Sequence, residues 1–591
     1  MSGKVAELQN IIDPHGMAQA VVRMWDNFRT QRQPWVEENL ELRNFIFATD
    51  TSKTTNNTLP WKNSTTLPKL TQIRDNLHAN YMAALFPNDQ WLKWEGYTLD
   101  DELVEKKEAI QAYMENKTRE SGFMNTISQA LYDYIDYGNA FVDSIWVNET
   151  MEDPETGEII HGYVGPKAIR ISPLDMMINP TASTFKDSPK ITRSILTIGE
   201  IIKMAEEDPS KEYLREAMKK SEKIRSAIDS FSVEDFDKAV GYSIDGFGDL
   251  KEYYQSPFVE ILELEGDIRD TETNEYKSNR IITIIDRSIL ARDEQIPSWL
   301  GKGSKAHVAW RLRPDNLYGM GPLHNLVGMQ YRIDHLENLK ADVFDLIAYP
   351  PLMIIGEVEQ FNWAPGEEIH IDEGGDVKML TPDTTALNAD TQIEILERKM
   401  EEFAGAPKEA MGIRSPGEKT AFEVQSLQNA AGRIFQEKVT NFEINCLEPL
   451  LNSMLEVARR NLNTGDVLRV MDDDLGVTRF LSITKEDITA TGKLRPIGAR
   501  HFAARAQLVQ NLTGLFNSPI SQLVTPHISG KKLSRLFEDV LGLSRFQLFQ
   551  DNVAVFEQIE TQQLMNQAQE EVELQDSIAA EPLEEEDENI I

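Results

Sequence analysis

The segment Gly412–Thr420, GIRSPGEKT, is the part of this sequence closest to a phosphate-binding loop. Such a loop has the pattern G-x-x-x-x-G-K-[ST], in which backbone N–H groups and the lysine hold the phosphates of a nucleotide. Here Glu418 stands between Gly417 and Lys419, which displaces the lysine by one residue and places a carboxylate where phosphate would lie. A charged helical pattern precedes the segment, where the motif needs a strand. We therefore interpret the segment as the entry of a helix and expect no nucleotide site.

The other residues that could do chemistry also favour structural roles. His324 and His335 are eleven residues apart on a predicted helix, roughly 16 Å along its axis, which is too far for one metal ion. Gly319 and Gly321 lack the third glycine of a dinucleotide loop and predict a turn before that helix. The run Asp472–Asp474 is more typical of a solvated turn than of a cation site, because its neighbours supply no spaced oxygen ligands.

The single cysteine, Cys446, excludes an internal disulfide and a cysteine-based zinc site. It lies on an apolar helix face, so we expect a buried thiol and not a nucleophile. No G-x-S-x-G or H-E-x-x-H motif is present. From these observations we predict that the chain is not an enzyme and that it takes no cofactor and no metal.

Long helices must position the segment that resembles a phosphate-binding loop. Gly321 and Pro322 open a predicted helix that continues to about Ala348, and a second helix ends near Ala404. A third pattern extends from Thr420 to Leu462, with an interruption around Pro449. A helix of that length, polar on most faces, needs neighbours from the same chain or from other copies. The plainer alternative is an extended helical protein that only dimerises.

The rest of the chain combines helical and strand patterns. The N-terminal third predicts helices over 17–48, 69–85, 101–120 and 123–137, with Pro34 expected to kink or split the first. Residues 198–238 and 496–578 are also predicted to be mostly helical, and 463–495 to hold a short β excursion. Strands are predicted at Ala140–Val147, Gly162–Ile171, Phe258–Leu264, Arg280–Ile285 and Ala306–Leu312. Because βαβ alternation is absent, we predict an α+β fold, predominantly helical, without a doubly wound nucleotide-binding sheet.

Composition limits the classes of function. The 591 residues contain 97 acidic and 60 basic side chains, which gives a formal net charge of −37. This balance excludes a coating that grips nucleic acid by its phosphates, but not a surface that DNA slides past. The sequence has no apolar run long enough to cross a bilayer and no secretory signal peptide. We therefore expect no membrane span and no export through a signal peptide. The 46 residues after Arg545 hold 13 acids and no base, which predicts a solvated acidic tail.

Several segments, taken in order, resemble the portal proteins of tailed bacteriophages, the head-to-tail connectors, of the short-tailed phage type. The strongest similarity spans LYGMGP (317–322) to YPPL (349–352), then GAPKEAMGIRSPGEKTAFEVQSLQNAAGR (405–433) and the long helix after it. KLTQIRDNLHANYMAALFPND (69–89) and PIGARHFAARAQLVQNLTGLF (496–516) are also similar. The resemblance covers most of the chain, and its specificity comes from the order of the segments.

The resemblance implies a portal-type fold divided into consecutive regions. These would be the wing (1–320), the first stem helix (321–348), the clip (349–388), the second stem helix (389–404), a tunnel loop (405–419), the long wing helix and β return (420–495), the crown (496–578) and the acidic tail (579–591). In the family the subunits form a ring, usually a dodecamer. The tunnel loop would bring Lys408, Arg414 and Lys419 towards the DNA. The alternative for these bases is pairing with nearby glutamates such as Glu401 and Glu409.

The function implied by the resemblance is a channel at one capsid vertex, through which double-stranded DNA is packaged and later ejected, independently of base sequence. The implied partners are the terminase, a tail adaptor protein, and the major capsid and scaffolding proteins, in a virion assembled in the host cytoplasm. Two other classes stay open on the residues alone. One is an acidic scaffold or adaptor that binds only proteins, and the other is an ATP-using motor, which only the imperfect loop favours.

Overall fold

A computed structural model describes most of the first 496 residues: 4–47, 66–86, 91–96, 102–152, 159–182, 184–207, 211–225, 258–356, 375–380, 384–404, 434–462, 466–472, 477–489 and 491–496. The chain divides into two compact units, residues 1–470 with 480–500, and residues 471–479 with 501–591. Nearly all described residues belong to the first unit. The predicted tunnel loop 405–419, the crown beyond residue 496 and the acidic tail lie outside the described residues.

The described helices are α1 (Pro14–Phe47), α2 (Lys69–Leu85), α3 (Glu102–Glu120), α4 (Phe123–Asp136), α5 (Ile198–Glu207), α6 (Glu212–Arg225), α7 (Val327–Ala348), α8 (Asp390–Ala404) and α9 (Glu448–Asn461). Short 3-10 turns precede α7 (His324–Leu326) and α8 (Thr384–Ala389). These positions confirm the predicted helices of the N-terminal third and the helical character of 198–225. Residues 226–257 lie outside the described part.

The described strands are β1 (Val5–Leu8), β2 (Leu92–Gly96), β3 (Asn139–Glu152), β4 (Ile159–Ile171), β5 (Met176–Ile178), β6 (Lys190–Thr197), β7 (Phe258–Asp270), β8 (Tyr276–Ile285), β9 (Ile289–Gln295), β10 (Ala306–Ala309), β11 (Arg311–Arg313), β12 (Asn316–Met320), β13 (Leu352–Ile355), β14 (Asp376–Met379), β15 (Asp466–Asp472), β16 (Val477–Ile483) and β17 (Gly492–Pro496). The largest sheet has the order β5-β6-β7-β8-β9, with β1 parallel to β7. A second sheet has the order β10-β3-β4, and β17 pairs with β2. Helices and antiparallel sheets together form the predicted α+β class.

Two sequence predictions differ from the structure in detail. Helix α1 includes Pro34 without a break, so the expected division of this helix is wrong. Contacts on both sides of the proline hold it, since Trp35 is buried and the Arg32 guanidinium donates to three carbonyls of the 173–176 turn. The predicted strand Ala306–Leu312 divides into β10 and β11, because Trp310 turns inward and its indole N–H donates to Tyr81 Oη at 3.0 Å.

The main hydrophobic core joins the N-terminal helices to the end of the described chain. It includes side chains of α2, α4, β3, β10 and α9. Residues 434–442 are helical, Glu443–Leu447 form a π turn, and α9 follows directly. The irregularity predicted around Pro449 is therefore this π turn, just before the first turn of α9, in which the missing N–H of Pro449 is tolerated. Residues 420–433 of the predicted long helix lie outside the described residues.

Candidate subunit interface and channel segment

The predicted first stem helix begins later in the structure than the sequence indicates. We expected a start at Gly321, but α7 starts at Val327. The Gly321 N–H donates to His324 Nδ1 at 3.1 Å, which makes this stretch a turn. A Cβ on Gly321 would collide with the Ile135 carbonyl, so the glycine allows a close approach of two backbone segments. This close contact accounts for the glycine at position 321, so no dinucleotide-binding role is needed to explain it.

A row of polar side chains is buried along α7. Gln330, Asp334, Asn338 and Asp342 follow at intervals of four, and none is more than 2% exposed. Residues four apart share one face of a helix. The row therefore forms a buried polar face of α7. The signal that could have found this buried row is the regular spacing of Gln, Asp, Asn and Asp.

The first two residues of this row accept hydrogen bonds from backbone N–H groups at the N-terminus of α2. No side chain of the α2 cap residue, Pro68, can accept the free N–H groups there. Instead, Leu67 N donates to Asp334 Oδ1 at 3.1 Å, and Leu70 N donates to Gln330 Oε1 at 3.2 Å. Burial raises the pKa of Asp334 to about 6, against the lowering effect of the hydrogen bonds that its carboxylate accepts from Leu67 N and Gln330 Nε2. Helix α7 therefore caps α2 from another part of the chain.

Two ion pairs of equal length join α8 to its neighbours in different surroundings. Lys69 Nζ lies 2.7 Å from Glu401 Oε1, and both side chains are less than 10% exposed. Lys340 Nζ lies 2.7 Å from Asp390 Oδ1, but the Asp390 side chain is 63% exposed. The buried pair is near the end of α8 and the exposed pair is at its start. Exposed pairs contribute little to stability, whereas breaking a buried pair is costly.

Between the two helices, the predicted clip contains a small hairpin. β13 pairs antiparallel with β14 from Leu352 opposite Met379 to Ile355 opposite Asp376. Its apolar side chains face outward, with Ile354 50% and Met379 61% exposed. Residues 357–374 and 381–383 of the predicted clip lie outside the described residues. A two-stranded hairpin with exposed apolar side chains is marginally stable alone and favours a covering partner.

Exposed apolar side chains concentrate in the segment from α7 to α8. Eleven of the 21 large apolar side chains that are exposed among the described residues belong to it: Tyr331, Phe344, Ile347, Tyr349, Met353, Ile354, Ile355, Met379, Leu380, Ile395 and Phe403. On α7, Phe344 and Ile347 lie about 160–220° around the axis from Tyr331 at 100° per residue. The helix therefore presents apolar side chains on two opposite sides.

The described part of the long helix behaves differently. We expected the pattern 420–462 to need neighbours from the same chain or from other copies. In the described part of this helix Phe442, Leu450 and Met454 are at most 1% exposed, while Ile434 and Ile444 are exposed. The neighbours of the buried residues come from the same chain, in the core with α2, α4 and β3. The sequence shows the period of this helix but not which elements cover it.

The residues considered for chemistry are accounted for by local contacts. Cys446 is fully buried, and burial raises the pKa of its thiol far above the ordinary value, as expected of a structural cysteine. His324 contacts Asn39 and Gly321, whereas His335 lies beside Tyr331, and no group of three or more potential metal ligands occurs in the part of the chain that the structure describes. Asp473 and Asp474 lie outside that part.

A polar cavity lies where α1, α2, α4 and β4 meet, and its charges are paired internally. Arg74 makes two hydrogen bonds of 2.7 and 2.8 Å to Asp136, and Arg170 makes two of 2.5 and 2.6 Å to Asp133. The Arg43 guanidinium donates to Tyr137 Oη at 2.8 Å. Such two-pronged pairs orient the elements around them. These contacts give the cavity a structural role, since they connect the elements around it.

The predicted DNA-contacting bases, Lys408, Arg414 and Lys419, lie outside the described residues, so the structure does not place them. Before this segment, the structure describes the chain as far as Ala404, which is buried and is the last residue of α8. Among the described helices, none combines the length and apolar character of a bilayer span. Comparison with models of protein families finds no match, and comparison with curated proteins finds no significant similarity.

Proposed function

We propose that this chain is a portal protein, which assembles into a ring and forms the channel for double-stranded DNA at one vertex of a phage capsid. The segment from α7 to α8 would be the stem and the clip, and residues 405–419 the tunnel loop. The proposal rests on the ordered sequence resemblance and on the distribution of exposed apolar side chains.

The observation that carries the proposal is the apolar surface on opposite sides of α7. A two-fold dimer uses one self-complementary patch, whereas a ring subunit meets two neighbours through two different patches. Tyr331 on one side and Phe344 with Ile347 on the other are exposed by 42–52% in the isolated chain. An arrangement with a neighbour on each side would cover both groups. This geometry favours a ring over the simple dimer that the sequence left open.

Charge is compatible with a channel for sliding DNA. Twelve copies of a chain with net charge −37 would carry about −440, so most of the wall would repel the phosphates. A basic lining would instead release counterions and hold the DNA in place. A few bases at the narrowest point would steady the duplex through phosphate contacts that carry no sequence information. Lys408, Arg414 and Lys419 would supply these contacts.

The hairpin β13–β14 would face the protein partners outside the capsid. Its exposed Ile354, Ile355 and Met379 offer an apolar surface for the terminase during packaging and for a tail adaptor afterwards. Nucleotide hydrolysis would belong to the terminase, because Glu418 disrupts the only phosphate-loop pattern in this chain. A purified ring should therefore show no ATP turnover.

The test replaces Lys408 and Arg414 together with Ala. The ring should still form, because neither residue belongs to an apolar face, while genome packaging or DNA retention should fall. The matched control is Arg215→Ala with Lys219→Ala, which removes the same charge from two exposed positions on α6. If both double variants package and retain DNA like the unmodified ring, the loop does not contact DNA. If no ring forms from the unmodified chain, this result would favour the alternative of an acidic scaffold or adaptor protein.

A further inference from the structure

The end of α8 combines apolar packing with a buried ion pair. Met400 and Ala404 are at most 1% exposed, and Glu401 is buried against Lys69. At the start of the helix Ile393 is also buried, but the ion pair there, between Lys340 and Asp390, is open to solvent. Because an ion pair in water is screened and weak, that exposed pair contributes little to holding α8 in place. The two ion pairs therefore form a matched contrast on one helix.

The N-terminus of α2 explains why Glu401 is held there. Free N–H groups and the helix dipole make a helix N-terminus favourable for carboxylates and unfavourable for a lysine. Lys69 is the first residue of α2, and its ammonium group lies 2.7 Å from Glu401 and 3.9 Å from Glu397. It also donates to Gln72 Oε1 at 3.0 Å. Lys69 therefore links two carboxylates of α8 to α2, in a place where its own charge needs compensation.

The same end of α2 is fixed to α7. Leu67 N and Leu70 N donate to Asp334 and Gln330, and Gln330 Nε2 donates to Asp334 Oδ1 at 2.8 Å. Helices α2, α7 and α8 thus meet in one buried polar joint. A change at Lys69 would alter the position of the last turn of α8, while α7 keeps its own contacts to α2.

We infer that Lys69 is a positioning residue, which fixes the last turn of α8 and thereby Ala404, the residue that precedes the proposed DNA-contacting segment 405–419. The inference rests on the proposed function for its DNA consequence, but the joint itself is a property of the chain. Lys69 would act through Glu401 and not through DNA, because its ammonium group is buried in the joint.

The first experiment measures amide hydrogen exchange over residues 397–404 in the full-length protein. Lys69→Met removes the charge while keeping a long side chain, and Lys340→Met is the matched control at the exposed pair. We expect exchange at least about tenfold faster in Lys69→Met and changed by less than about twofold in Lys340→Met. The double variant Lys69→Met with Glu401→Met should regain slow exchange, because an apolar pair can replace a buried ion pair. Equal exchange in both single variants would overturn the inference.

The second experiment measures the position of the loop itself. Because Cys446 is the only cysteine and is buried, Ser415→Cys introduces a second thiol that can be spin-labelled while the native one stays protected. Distances between labels on different subunits should broaden in Lys69→Met and stay sharp in Lys340→Met, and DNA retention should fall only in the former. Faster exchange with unchanged label distances and unchanged retention would overturn the positioning role. Such a result would leave the proposed function standing if the Lys408 and Arg414 double variant still loses DNA.

Discussion

The helical stretch 434–461 and the pair α7–α8 both carry apolar residues at helical spacing, but their surroundings differ. Between 434 and 461 the large apolar residues are mostly buried in the core of the same chain, as Phe442 and Leu450 illustrate. In α7 and α8 the apolar residues Phe344 and Phe403 are exposed, whereas the polar residues Asp334 and Glu401 are buried. The first region buries most of its apolar side chains within one chain, with Ile434 and Ile444 as exceptions. The second buries polar contacts beside its apolar ones and leaves more of its large apolar side chains exposed.

This difference shows that periodicity alone does not tell where an apolar face goes. Both regions have apolar residues at helical spacing, and both were expected to need neighbours. In the core region the neighbours are α2, α4 and β3 of the same chain. In the α7–α8 region Phe344, Phe403 and other large apolar side chains have no cover among the described residues, which is the basis for proposing a subunit interface there.

The largest effect expected from this comparison concerns two phenylalanines. Phe442→Ala should lower the free energy of unfolding by about 3–5 kcal/mol, because the ring is 1% exposed and packs edge-on against Tyr134 at 5.2 Å between centroids. Phe344→Ala should change it by less than about 0.5 kcal/mol in the dissociated chain, because that ring is 52% exposed. Denaturant unfolding of the dissociated chain measures both.

The order of the two effects should reverse when ring assembly is measured instead of stability. Phe344→Ala is expected to weaken assembly of the ring, whereas folded Phe442→Ala should assemble with the same mass as the unmodified chain. Sedimentation at several protein concentrations separates the two effects. Similar losses of stability for the two variants in the dissociated chain would remove the distinction between the regions.

A smaller effect comes from His324, at the junction of α1 and the turn before α7. Burial, together with the charge of Arg313, lowers the pKa of this imidazole to about 4 in the folded chain. The unfolded chain, with an ordinary pKa of about 6.5, binds one more proton between these values. Stability from the neutral ring is therefore present above pH 6.5 and lost as pH falls towards 4, by about 1.4 kcal/mol per pH unit.

His324→Asn tests this pH dependence, because its side-chain oxygen can replace Nδ1 as the acceptor for the Gly321 N–H. The stability difference between the unmodified chain and this variant should shrink as pH falls from 6 to 5. Taking the difference between the two proteins cancels buried carboxyls that titrate in the same range, such as Asp133 and Asp143, whose pKa values burial raises to about 6. A constant difference across this range would contradict a neutral, buried imidazole.

The smallest effect is expected on the hairpin. Lys378→Ala should change neither stability nor assembly measurably, because both side chains of its ion pair with Asp376 are exposed. Ile354→Ser should also leave the stability of the dissociated chain nearly unchanged, but should weaken binding of whatever covers the hairpin. Pull-down of the terminase with each variant measures this difference. Equal losses from both variants would mean that charge, not apolar surface, governs the hairpin.

Much of the helical framework could be predicted from the sequence, since helix α2 has the predicted bounds Lys69–Leu85 and α8 ends at the predicted Ala404. Those elements have local signals, namely periodic apolar residues and Pro or Gly near their ends. The late start of α7 could not be predicted, because it depends on the approach of Gly321 to Ile135, far away in the chain. The joint of Lys69 with Glu401 was missed for the same reason, since 332 residues separate the partners.

In the proposed assembly, the apolar surface of α7 and α8 closes a ring. The most direct measurement is electron microscopy of the purified full-length chain at micromolar concentration, with salt and Mg²⁺ varied because like-charged subunits repel each other. We predict closed rings with a central opening wide enough for a DNA duplex, and their loss in Phe344→Ala. Monomers or two-fold dimers under all these conditions would contradict the account.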